Sequence, residues 1–147
     1  MGKSLKESMN LQELSVPAFG YELIREELLS DLLGKDGPSL LYWAGKRLAR
    51  KYVLFSIEEI CEFFKSAGWG NLQLVNQTKD KMEFSLSSDL ITFRLNSSTN
   101  ASFQLEAGFL AEQIQQQKKM YTEAYEHPKK KEGHVIFTLK WDPQLLD

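Results

Sequence analysis

From Val16 onward the chain first repeats its apolar residues at helical intervals and then, past Gly70, alternates them. Phe19, Leu23, Ile24, Leu28 and Leu32 predict a first helix over about 17–33, with Gly34 where a left-handed C-terminal cap belongs. Asp36-Gly37-Pro38 makes a turn, and Pro38 suits the first position of a second helix bearing Leu41, Ala44, Leu48 and Tyr52 on one face. Ser56-Ile57-Glu58-Glu59 reads as a capping box that opens a third helix ending at Ala67-Gly68. The period then changes to two. Leu72 and Leu74 mark a first strand, Met82, Phe84 and Leu86 a second, with Lys79-Asp80-Lys81 as the tight connection. Ile91, Phe93 and Leu95 predict a third, interrupted by the polar run 96–100. A helix over about 101–117 follows, then a strand over 120–126 with Tyr121 and Tyr125 on one side. In the last strand Val135, Phe137, Leu139 and Trp141 alternate with Ile136, Thr138 and Lys140, and Pro143 is expected to end it.

These elements predict an α+β fold: N-terminal helices plus an antiparallel sheet covered on one face, with a central helix inserted between strand pairs. Residues 1–14 scatter Leu5, Met9, Leu11 and Leu14 among polar groups and are expected to form a flexible arm; 15–147 form a single domain. The central helix carries the most information. Phe103, Ala107, Leu110 and Ile114 make one stripe at about 100° per residue, while Leu105 and Phe109 lie on another side. Such a helix belongs between layers. Gly108, beside Ala107 and Ala111, costs about 1 kcal/mol relative to Ala in a helix interior, so a neighbouring element is expected to approach closely there.

Composition narrows the chemistry. With 147 residues the chain has room for one self-supporting core, and 42% hydrophobic and 26% charged residues are ordinary for a globular protein. Eighteen basic and 20 acidic residues leave a formal charge of −2, so no global field favours nucleic acid or an anionic membrane. The single cysteine, Cys61, excludes an internal disulfide and any zinc site needing two thiolates. No apolar run has the length of a membrane span, residues 1–15 lack the apolar core of a signal peptide, and Lys6 stands where myristoylation needs Ser or Thr. A cytoplasmic location is expected, and the sequons at Asn76, Asn96 and Asn100 read as polar turns and strand ends.

Glu106 is the most interesting carboxylate, because it falls at the border of the central helix's main stripe. A half-buried Glu can act as an acid or hold a ligand; the plainer reading is an internal ion pair, with Arg25, Lys46, Arg94 or His134 as candidate partners. Cys61, between Ile60 and Phe63-Phe64, reads as an inert core thiol. His127 and His134 flank the polar loop 127–133, and two histidines with one cysteine are poor material for a metal site. No metal or cofactor is expected. Lys46, Arg47, Arg50 and Lys51 gather on the second helix and Lys129, Lys130 and Lys131 in the loop. The first helix carries Glu22, Glu26, Glu27 and Asp31, so these opposite charges can satisfy each other or a twofold mate.

The segments 19–25 (FGYELIR), 41–49 (LYWAGKRLA) and 103–113 (FQLEAGFLAEQ), in this order, resemble the YslB-like family of small bacterial proteins over about residues 17–142. More distantly the chain is similar to vinyl reductase-like ligand-binding domains and to TRAPP vesicle-tethering subunits. That resemblance implies a vinyl reductase-like or TRAPP-like fold, frequent dimerisation and, in some relatives, a small hydrophobic ligand in the interior. It also brings out a departure, since the cysteines that can hold zinc in the vinyl reductase-like domains have no counterpart in 89–103 or 123–141. The expectation is a non-enzymatic homodimeric module joined through the first two helices, with a small hydrophobic ligand within Phe19, Leu23, Trp43, Phe103, Glu106, Phe109 and Phe137. A protein-interaction adaptor without ligand, and an enzyme using Glu106, are the alternatives.

Overall fold

The computed structural model describes residues 10–98 and 101–145, with side chains to Asp142; residues 1–9 of the predicted arm and the sequon at Asn100 lie outside the described residues. The chain divides into two compact units, Met1–Gly34 and Lys35–Asp147.

In the first unit a 3-10 turn, Leu11–Glu13, precedes three helical pieces that run on without interruption. Ala18–Glu22 is α-helical, Leu23–Leu28 is π-helical and Leu29–Leu33 is α-helical again; together they are α1. A π turn pairs i with i+5, so Leu23 and Leu28 share a face that an ordinary helix would twist apart. Phe19, Leu23, Leu28 and Leu32 therefore form one apolar stripe. Gly34 ends the helix at a positive φ of 68°, but with ψ at −151° it is extended and not the left-handed cap expected there.

The second unit opens with α2, Gly37–Lys51, and Pro38 stands in its first turn, where a missing N–H costs nothing. Its buried residues are Gly37, Gly45 and Ala49; of the predicted stripe Leu41, Ala44 and Leu48 are half-buried, and Tyr52, just past the helix, is exposed. Helix α3, Ile57–Ser66, starts at Ser56, whose hydroxyl accepts the Glu59 N–H at 3.1 Å. The reciprocal bond goes one residue further out, from the Phe55 N–H to the Glu59 carboxylate at 2.9 Å.

Strands β1, Asn71–Gln77, and β2, Lys81–Ser87, form a hairpin closed by Thr78, whose N–H donates to the Lys81 carbonyl at 2.9 Å. The next segment corrects the sequence reading: 89–97 is not a third strand but helix α4, Asp89–Ser97. Ser88 caps it by accepting the Ile91 N–H at 3.1 Å, and Ile91, Arg94 and Leu95 are buried at helical spacing. Phe93, 60% exposed, shows that the Ile91, Phe93, Leu95 alternation was coincidental. Helix α5, Gln104–Lys118, then leads into β3, Met120–Lys129, and β4, His134–Leu145. Pro143 does not end β4. The strand passes it with an irregular register against Met120 to Thr122, the kind of position where a missing ladder donor is tolerated.

The sheet is antiparallel throughout, in the order β1-β2-β4-β3. Leu72, Met82, Phe84, Leu86, Val135, Phe137, Leu139 and Trp141 point to its covered face. Helix α5 lies on β3 and β4, and α3 packs on β1. Nine successive α5 residues, Glu106 to Ile114, are buried, as a helix apolar on more than one side requires.

Candidate functional site

The second unit is organised around the crossing of α2 and α5, where two glycines let backbone meet backbone. A Cβ on Gly108 would stand 1.9 Å from the Tyr42 carbonyl oxygen, and one on Gly45 would stand 2.1 Å from that of Leu105. The close element inferred from Gly108 is therefore α2. This approach carries Tyr42 across to the outer edge of the sheet. Its hydroxyl accepts the Ala124 N–H at 3.0 Å and donates to the Glu123 carboxylate at 2.5 Å. Lys46, one turn on, lies 3.8 Å from the same carboxylate and 4.9 Å from the Tyr42 ring centre. Burial, reinforced by the bond to Glu123, pushes the Tyr42 phenol well above the ordinary tyrosine range. It holds its proton and is no base.

More of the β3 edge is closed in the same way. The Thr122 N–H donates to Gln115 at 3.2 Å. From β3 the Glu126 carboxylate accepts the Phe103 N–H at 3.1 Å and the Gln104 side-chain amide at 2.5 Å. A carboxylate there also complements the positive N-terminal end of α5. Tyr42, Gln104, Glu123, Tyr125, Glu126 and His127 thereby border a surface cleft of about 460 Å³. Its polar groups protect an edge strand that could otherwise pair with another chain.

The proposed pocket residues separate into two sets. Phe103, Glu106, Phe109 and Phe137 are fully buried in the core. Phe109 stacks on Phe63 with centroids 4.6 Å apart and meets the edges of Trp69 and Phe64 at 5.3 and 5.9 Å, so neighbouring rings pack closely around it. Trp43, expected inside, is instead 54% exposed on α2, while Phe19 and Leu23 belong to the first unit, where no residue of α1 is buried. Alternation and helical period mark a side chain as apolar-faced without saying whether its own chain covers that face.

Glu106 sits on the first turn of α5. Of its candidate partners, Lys46 turns to Glu123, His134 lies 3.5 Å from Glu132, and Arg25 lies 3.4 Å from Glu26 in the first unit. Arg94 is 3% exposed and lies 5.6 Å from the ring centre of Phe103, one turn before Glu106. Cys61 is half-buried, and burial together with Glu62 and Glu58 pushes its thiol up, away from the reactive thiolate. Among the described residues no three His, Cys, Asp or Glu side chains gather where they could hold a metal ion.

Sequence reasoning missed Gln113. Fully buried, it donates to the Tyr52 carbonyl at 2.7 Å and accepts the Leu54 N–H at 3.1 Å, holding the link between α2 and α3. The signal was present as a polar residue within a run that is otherwise core.

This arrangement belongs to a known class of α+β folds. A vinyl-4-reductase family protein from Methanocaldococcus jannaschii matches with a TM-score of 0.69 at 16% identity, over 95% of this chain and 91% of that one. A trafficking protein particle complex subunit 3 from Naegleria fowleri, covalently bound to palmitic acid, matches at 0.50 and 12% identity, over 95% and 99%. The chain itself belongs to the family described as protein of unknown function DUF2507, whose model spans residues 18–140. The uncharacterised protein YslB of Bacillus subtilis strain 168 is 50% identical over 133 residues, 90% of each chain.

Proposed function

We propose that the protein is a non-enzymatic assembly module that dimerises through α1 and α2. The observation that carries this reading is that nothing within its own unit buries the apolar stripe of α1, Phe19, Leu23, Leu28 and Leu32. A short helix draws its stability from burying an apolar face, so one with that face in water needs a partner. A second copy supplies it. The frequent dimerisation of the resembled superfamily supports the same reading, as does Trp43 on the outer side of α2.

A small hydrophobic ligand among Phe103, Phe109 and Phe137 is the second half of the proposal. The palmitic acid named for the Naegleria subunit supports it. The ring contacts of Phe109 weigh on the other side, since a ligand there must part Phe63 from Phe109. Native mass spectrometry of protein purified from its host tests both halves at once. The expected result is a dimer carrying extra non-covalent mass; a dimer of bare chains removes the ligand, and a monomer at micromolar concentration removes the module.

A further inference from the structure

The formal charge of −2 hides a local excess of base at one end of the sheet. Strand β3 ends there on Lys129, and Lys130-Lys131-Glu132-Gly133 turns the chain into β4 with all three lysines exposed. Against them the turn sets Glu132, which lies 3.5 Å from His134. The pairing of His134 with Ser87 brings the start of α4 to the same end, because Ser88 caps that helix. From α4 the Thr92 hydroxyl donates to the Gly133 carbonyl at 3.4 Å, and Thr92 and Asn96 border a surface cleft of about 540 Å³ with Lys130 and Lys131. Beside Thr92 stands Phe93, 60% exposed, on a helix face whose other exposed members are Asp89, Thr92, Asn96 and Ser97.

We propose that the β3–β4 hairpin and α4 form a peripheral docking surface for an anionic lipid bilayer, with the lysines and the cleft taking phosphate headgroups and Phe93 entering the acyl boundary. Charge complementarity and the exposed ring select this occupant together. A free phosphate ester would use the same hydroxyl, amide and ammonium donors but leave Phe93 in water. Single-stranded nucleic acid would need several rings for successive bases, and this face offers one. A lysine close to an anionic leaflet strengthens binding about fivefold, so the attachment is weak, reversible and sensitive to salt. It does not depend on the dimer proposed above.

Cosedimentation with lipid vesicles at low salt tests this. The wild type is expected to bind phosphatidylglycerol vesicles and not phosphatidylcholine vesicles, with binding that declines as salt rises. Lys129→Gln/Lys130→Gln/Lys131→Gln should weaken it about a hundredfold. The same charge removed from the opposite end of the sheet, where Lys81 pairs with Lys140, by Lys79→Gln/Lys81→Gln/Lys140→Gln, should weaken it far less. Phe93→Ser should cost a further severalfold without changing the salt dependence, which a purely electrostatic contact would not show. If the hairpin triple unfolds by circular dichroism, Lys130→Gln/Lys131→Gln replaces it, with a loss of about 25-fold. Failure to bind phosphatidylglycerol, equal losses from the two lysine triples, or indifference to Phe93→Ser would overturn the docking surface. Displacement of the vesicles by inorganic phosphate at constant ionic strength would assign the cleft to a free anion, and displacement by a single-stranded oligonucleotide would assign the lysines to nucleic acid; either result also overturns it.

Discussion

Tyr42 shows how much a single residue depends on what the fold brings to it. In the sequence it is one aromatic among several near a basic cluster, and nothing local announces a partner at Glu123 or Ala124, some eighty positions away. Its phenol titrates above the ordinary tyrosine value of 10.0, so the unfolded chain surrenders this proton first. The stability tied to it is whole below about pH 10 and declines as pH rises toward the folded value. Urea midpoints measured from pH 8 upward should therefore fall more steeply in the wild type than in Tyr42→Phe, which has no such proton to lose. Parallel curves would mean that in solution the phenol is neither buried nor held by Glu123 as the fold places it. Glu106 was legible as a border position and turned out fully buried, whereas Glu126, which caps a helix from a neighbouring strand, was not legible at all.

Among elements, the α2–α5 crossing was the most legible because a glycine at a helix centre is a local anomaly with a physical cost. Gly108→Ala isolates the reason. Helix propensity alone favours alanine by about 1 kcal/mol. The added methyl would meet the Tyr42 carbonyl at 1.9 Å, and forced overpacking of this kind costs about 1–3 kcal/mol or more. Net destabilisation is expected, read as a lower denaturant midpoint with an unchanged slope; a gain in stability would show that the helices separate easily. Helix α4 was misread for the opposite reason. Its nine residues fit alternation by chance, and the decisive signals, the Ser88 cap and the 91, 94, 95 spacing of buried groups, compete with that pattern over too short a window. The passage of β4 beyond Pro143 likewise depends on an irregular register with β3 that no residue of β4 encodes.

For the whole molecule, the exposed stripe of α1 couples proposed assembly to stability. Because a dimer buries that stripe and an unfolded chain cannot, the unfolding temperature should rise with protein concentration over two decades. A concentration-independent value together with a monomeric mass would leave α1 without the partner its composition demands. No helix among the described residues is long and apolar enough to cross a membrane. From sequence alone came the α+β class, the strand pairs around a buried central helix, the closeness at Gly108 and the family resemblance, because each rests on local period, caps or ordered motifs. Tertiary structure decided which apolar faces the chain covers for itself. In the second unit Phe103, Phe109 and Phe137 are inside while Trp43 is outside, and that division depends on which elements meet rather than on hydrophobicity, which all four share.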